Sequence, residues 1–89
     1  MSNTVYGMDV QAGRDLARVM TTDSDAINQL TAQLTQRLEQ TPWFGPDAQR
    51  FTSDWQAQYV PALQNVVRAL QENATIVSQQ ADDQERASS

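Results

Sequence analysis

The sequence predicts an all-α fold, an antiparallel two-helix hairpin (helix-turn-helix) that pairs into a four-helix bundle dimer. Three observations lead there. Two long segments repeat apolar residues mostly at steps of three, four and seven, the spacing of a buried helical stripe. A connection of about five residues joins them, so the helices must lie antiparallel. Each stripe is also wide, about three to four positions per two turns, and one neighbouring helix cannot cover it. Two hairpins packed together bury both stripes with the least additional chain.

The 89 residues are read as one domain. Residues 1–7 read as a short irregular lead. Asp9 is the expected N-cap of a first helix over about 9–40, with Val10 opening its first turn. The first stripe comprises Leu16, Val19, Met20, Ile27, Leu30, Leu34 and Leu38. Leu16, Leu30 and Arg37 share one heptad position, in which Asp23 is the missing knob. Met20, Ile27 and Leu34 share the other. The helix is read as continuous, with the weak helix formers Thr21, Thr22, Asp23, Ser24 and Asp25 marking where it would loosen or break.

Thr41 precedes Pro42, which pushes it out of the α region and ends the first helix near Gln40. The turn occupies 41–46. Pro46 supplies the fixed φ that suits a first helical position, with Gly45 as the cap before it. Asp47 adds a carboxylate where the dipole of the second helix, over about 46–82, favours it. The second stripe runs Ala48, Phe51, Trp55, Tyr59, Ala62 or Leu63, Val66, Leu70, Ala74, Val77 and Ala81. Pro61 is expected to remove the backbone bond to Ala57 and bend the helix. Beyond Ala81 the apolar period stops, and the tail 83–89 is expected to fray. Leu16, Met20, Ile27, Leu30, Leu34, Phe51, Trp55, Tyr59, Val66 and Leu70 are the expected core and dimer-interface residues, with Trp55 and Tyr59 read as packing rather than ligand contacts.

Composition narrows the chemistry. The chain has no cysteine and no histidine, which removes disulfides, thiolate chemistry, imidazole bases and the usual zinc ligands. No serine has a plausible base beside it, and there is no glycine-rich phosphate loop. Carboxylates acting alone need a rigid pocket that a narrow helical bundle hardly offers. No enzymatic activity, small-molecule substrate, cofactor or metal is therefore expected. Asp23-Ser24-Asp25 hints at a calcium loop, but Ile27 stands where an oxygen ligand belongs. Asp82-Asp83 with Glu85 is a similarly weak carboxylate cluster.

The net charge is −5, with six arginines and no lysine. Arg14, Arg18, Arg37, Arg50, Arg68 and Arg86 are scattered and form no basic stripe, so nucleic acid is not an expected partner. The acidic surface disfavours anionic membranes. No stretch approaches the ~20 apolar residues of a transmembrane helix, so membrane insertion is not expected. Met1-Ser2-Asn3-Thr4 carries neither a positive n-region nor an apolar h-region, so no secretory signal peptide is expected.

The turn itself is unusual. Connections run over the surface and are normally polar, yet Trp43-Phe44-Gly45 stands between Pro42 and Pro46. A tryptophan there can dock its apolar body into a partner's groove, or staple its own helix ends, and it can do both. Gly45 allows a tight turn or a close backbone approach.

A Trp-x-Gly turn midway between two amphipathic helices, in a chain of this size, resembles the WXG-hundred family of early-secreted-antigen-like proteins. The run Trp43-Phe44-Gly45-Pro46-Asp47-Ala48, then Arg50-Phe51 and Asp54-Trp55, is similar to the actinobacterial form of that family, as is the opening Gly7-Met8-Asp9-Val10. The resemblance covers nearly the whole chain. It implies a small non-enzymatic protein of a type VII secretion system, made in the cytoplasm and exported without a leader. It further implies a homodimer, or a heterodimer with a paralogous WXG protein, presented to a secretion ATPase. Family members often carry a C-terminal Tyr-x-x-x-Asp/Glu signal. Here Ser78 stands in place of the tyrosine while Asp82 keeps the acid, which puts autonomous targeting in doubt. The alternative is a cytoplasmic adaptor or chaperone-like partner of a larger secreted effector, reusing the same stripes as helix-in-groove surfaces.

Overall fold

Asp9 starts the first helix. Its backbone is extended (φ −63°, ψ 121°), and its Oδ1 accepts the Ala12 N–H at 2.9 Å. One of the N–H groups that a helix start leaves without a partner is satisfied in this way. A computed structural model describes residues 8–88; the lead at 1–7, Gly7 of the opening tetrapeptide included, and Ser89 lie outside the described residues. Helix α1 spans Val10–Gln40, and at its end Thr41 is extended before Pro42, with its hydroxyl donating to the Arg37 carbonyl at 2.6 Å. The chain returns through α2 (Pro46–Asp54), one π turn (Trp55–Tyr59) and α3 (Val60–Ser88). The two arms pack against each other along their length, giving an all-helical hairpin with no strand among the described residues. The molecule measures 63 by 18 by 13 Å, so the rod is a single layer of helices.

The seam between the arms is built from small side chains. On α1 the buried residues are Gly13, Ala17 and Ser24; on the returning arm they are Ala48, Trp55, Val67, Ala74 and Ala81. Met20, Ile27, Thr31 and Leu38 are half-buried between the first set, and Leu63, Leu70 and Val77 between the second. The steps alternate four and three from Gly13 to Thr31 on α1 and from Val60 to Ala81 on α3, the 3.5-residue repeat of a left-handed coiled coil. Small residues at the knob positions bring the arms into contact: a Cβ added to Gly13 would lie an ordinary 3.6 Å from that of Ala81, and it is the Met8 thioether, folded over Gly13, that such a carbon would strike.

This register differs by one residue from the sequence expectation in three places. The stripe of Leu16, Asp23, Leu30 and Arg37 is not in the seam; the next residues, Ala17, Ser24, Thr31 and Leu38, are. Asp23 is therefore no missing knob, because Ser24, fully buried, fills that position. The Ser24 hydroxyl donates to the Thr21 carbonyl at 2.9 Å, and helix α1 runs unbroken through 21–25. On α3, Val67 is buried in place of Val66. In the π turn, Tyr59 lies outward while Val60 turns in.

Pro61 explains that last change. It has no N–H to give to Ala57, and the turn before it widens so that the Val60 N–H reaches the Trp55 carbonyl five residues back. The widened turn absorbs one extra residue, and seam residues on both sides of it still face α1.

Over 83–88 the expected fraying is not seen, since α3 continues to Ser88; Ser89, the last residue of that expectation, lies outside the described residues. Arg14 is the reason. Its Nη2 donates to Glu85 Oε1 at 2.6 Å and to Asp82 Oδ1 at 3.0 Å, tying the last turns to the start of α1. These hydrogen bonds, Glu85 first, raise the guanidinium pKa further above its ordinary value. Arg86 pairs with Asp83 within the same segment, and Ala81, fully buried, anchors it from the other side. Arg14→Gln should speed amide hydrogen exchange severalfold over residues 82–88 and leave the amides around Ala74 unchanged; equal acceleration along the whole helix would show that the end is not held this way.

Candidate interaction face

Two flanks border the seam, and they differ in chemistry. In an antiparallel coiled pair, residues one before the inner positions Ala17, Ser24 and Thr31 of α1 share a side with those one before Val60, Val67 and Ala74 of α3. That side carries Leu16, Asp23, Leu30, Tyr59, Val66 and Asn73, and Val19 and Ile76 extend it outward. The large apolar members are all exposed. Ile27, Leu30, Thr31, Leu34, Trp55 and Leu63 line an apolar groove along it. The opposite side is polar, with Arg14, Arg18, Thr21, Gln71, Thr75 and Ser78 lining a shallow groove of their own.

Of the expected core and interface residues, Trp55 alone is buried. Met20, Ile27, Phe51 and Leu70 are half-buried along the seam. Leu16, Leu30, Leu34, Tyr59 and Val66 do not form the hairpin's core; each stands one residue before an inner position and so faces the flank instead of the other helix.

The turn closes the hairpin at one end, where Trp43 and Phe44 line a groove with Gln49, Thr52 and Gln56. Gly45 takes φ 112° and ψ 177°, the one positive φ among the described residues. Only glycine occupies that region without strain. No atom lies within 4 Å of the position a Cβ would take, so Gly45 is required by backbone geometry and not by close packing. The Trp43 N–H donates to the Thr41 carbonyl at 2.9 Å, and the Gln49 N–H to the Gly45 carbonyl at 3.1 Å. From here a row of aromatic rings runs down the molecule. Trp43 lies 6.2 Å from Phe51, and Phe51 lies 6.2 Å from Trp55 and 6.3 Å from Tyr59, all within stacking or tilted-pair range. Trp43 thus staples its own helix end through Phe51, yet it stays 46% exposed, and Phe44 is 84% exposed with no ring beside it.

Trp55 is the large anchor of the seam. A buried indole needs an acceptor for its N–H, and Nε1 donates to Thr35 Oγ1 at 2.9 Å, while that hydroxyl donates to the Thr31 carbonyl at 2.8 Å. Thr35 gave no sign of this in the sequence beyond its place between Thr31 and Leu38 near the stripe. Gly13, Ala17 and Ser24 were also passed over, although small residues at coiled-coil spacing opposite Ala74 and Ala81 were the available signal.

The remaining candidates fall on the polar side or the end. Ser78 is half-buried beside the polar groove, and Asp82 is held by Arg14. No three acidic residues converge as a metal-holding group among the described residues. No described helix is long and apolar enough to cross a membrane.

Fold and face together define a class of molecule: a thin helical hairpin with one apolar flank left uncovered and an aromatic turn at its tip. No protein-family model, curated protein or solved structure matches the chain.

Two substitutions test the geometry of the turn and its anchor. Gly45→Ala should lower stability to chemical denaturation by about 1–3 kcal/mol through backbone strain alone. Thr35→Val should cost about 1–3 kcal/mol by leaving the buried Trp55 N–H without an acceptor, and a shifted emission maximum should accompany the loss.

Proposed function

We propose that this protein acts by recognition and not by chemistry, as a small component or exported substrate of a type VII secretion system that works as a dimer of hairpins. The observation supporting this reading is the uncovered apolar flank. Leu16, Val19, Leu30, Leu34, Tyr59, Val66 and Ile76 are exposed on a molecule whose buried seam is limited to a few residues, Ala17, Ser24, Ala48, Trp55, Val67, Ala74 and Ala81 among them. Exposed apolar side chains gathered on one flank mark a site of association. A second hairpin laid on it completes a four-helix bundle, in which each large side chain gains burial worth about 1.5–3 kcal/mol.

The Trp43-Phe44-Gly45 turn supports the secretion reading through its likeness to the WXG-hundred pattern. Its aromatic pair, exposed beside a rigid glycine turn, suits an anchor in a composite surface formed with the partner hairpin. In this mechanism the assembled pair is handed folded to the secretion ATPase. With no histidine or cysteine in the chain, catalysis has no part in it.

Trp43→Ala should reduce export into the medium and weaken hairpin pairing by about 2 kcal/mol, some thirtyfold in Kd, as expected for truncating an interfacial tryptophan. Secretion assays with light scattering on the purified complex read both. Unchanged export and unchanged mass would defeat the reading, and a paired protein found only inside cells would favour the cytoplasmic adaptor.

A further inference from the structure

The groove at the tip lies on the other side of the seam from the apolar flank. Its volume is about 470 Å³. Trp43 and Phe44 wall it, Gln49, Thr52, Ser53 and Gln56 line it, and the buried Ala48 gives it a floor. Gln49 and Gln56 stand one residue after the buried Ala48 and Trp55, whereas the flank residues stand one before their inner positions. The tip groove and the groove of the flank share no residue. A hairpin laid on the flank therefore leaves the tip groove accessible.

In this acidic chain the groove is neutral. None of the residues lining it carries a formal charge, and Asp47 and Arg50, their neighbours on α2, are paired with each other at 2.7 Å. The Trp55 indole N–H is held by Thr35, but that of Trp43 has no acceptor among the described residues. The side chains of Gln49, Thr52, Ser53 and Gln56 likewise make no hydrogen bond among the described residues. By contrast, Ser24, Thr31, Thr35, Thr41 and Thr75 each give their hydroxyl to a carbonyl of their own helix. Two exposed rings thus stand beside an indole N–H, two primary amides and two hydroxyls, all uncommitted and all able to donate.

We propose that this groove takes a proline-rich segment of another polypeptide in the polyproline II conformation. Such a segment offers pyrrolidine rings to aromatic walls and backbone carbonyls with no internal partner, while each proline lacks an N–H. It accepts what the groove donates and brings no charge. A partner helix has already bonded most of its carbonyls within itself. An acidic or basic peptide finds no opposite charge among the lining residues. Length agrees too. From Gln49 to Gln56 the helical rise is about 10 Å, close to the roughly 9 Å of one three-residue polyproline turn. Trp43 is held by Phe51 at 6.2 Å, so one wall is fixed before a ligand arrives. The site does not depend on hairpin pairing, and it adds a partner of different chemistry to the reading above.

The test is a titration of the isotope-labelled full chain with a capped proline decamer, followed in proton–nitrogen correlation spectra. The chain has two tryptophans, and their indole N–H signals report on different places. The Trp43 signal should move with a Kd on the order of 100 μM, together with the side-chain amides of Gln49 and Gln56, while the Trp55 signal stays. Phe44→Ala and the double variant Q49A/Q56A should each weaken binding by about fivefold or more. All three sites are exposed, and circular dichroism should show unchanged helicity. A Trp43 signal that stays still at millimolar peptide would overturn the proposal. So would equal shifts from a glycine-serine decamer, or shifts confined to Leu16, Leu30 and Val66 on the flank. A neutral oligosaccharide that binds where the proline decamer does not would overturn it as well, by assigning the groove to a sugar. Light scattering reads hairpin pairing separately, so failure of either leaves the other standing.

Discussion

Gly13 and Ala81 meet near the open end of the hairpin, where the helices are close enough that a single added carbon on Gly13 would be in van der Waals contact with its neighbour. Ala17, Ser24 and Ala74 maintain that closeness along the rod. Everything else about the surface follows from it. Where the small residues meet, helices this close leave little room for large side chains, and Leu38, Leu63 and Leu70 are only half-buried between them. The larger apolar residues on the neighbouring heptad position are displaced to one flank, and the hairpin acquires a greasy side and a wet side from a single packing choice.

Such a seam is specific but energetically thin. Burying alanine and glycine removes little apolar area from water, compared with the roughly 1.5–3 kcal/mol of a fully buried large side chain. Val67 and Trp55 are the larger buried side chains, and Trp55 is placed where the arms converge on the turn, its indole N–H held by Thr35. At the opposite end the arms are joined by charge, through Arg14 to Asp82 and Glu85. Exposed pairs of this kind contribute modestly. The hairpin is therefore fastened at its two ends and close-fitting but lightly buried in between, which is consistent with a molecule completed by association.

The helices, their direction and the turn were legible in the sequence because they rest on strong local signals. Asp9 caps, Thr41 before Pro42 stops, and Gly45-Pro46 restarts, each for a reason confined to a few atoms. The seam was harder to read. Hydrophobic size points to Leu16 and Leu30, whereas the fold buries the smaller or more polar neighbours Ala17 and Thr31 to some degree in their place, and between the identical Val66 and Val67 size gives no guide. Ser24, inside the stretch of weakest helix propensity, is fully buried because a hydroxyl bonded to its own helix costs the seam nothing in volume. The end of α3 was misjudged for another reason: Arg14 is distant in sequence from the carboxylates it holds, and no local pattern announces a partner so far away. The face was visible as a stripe too wide for one hairpin, but its membership became clear only once the small-residue seam was known.

The π turn before Pro61 deserves a last consequence. It holds one residue more than an α-helical turn would, and both sides of it still present their inner residues to α1. Removing any one residue between Trp55 and Val60 would either straighten that turn or rotate the rest of α3 by about 100° about its own axis. In the rotated case Val67, Ala74 and Ala81 would swing away together, and Arg14 would lose both of its carboxylates at once. The length of this short stretch is thus a phase setting for the whole second arm, and a proline that looks like damage is what makes the setting tolerable.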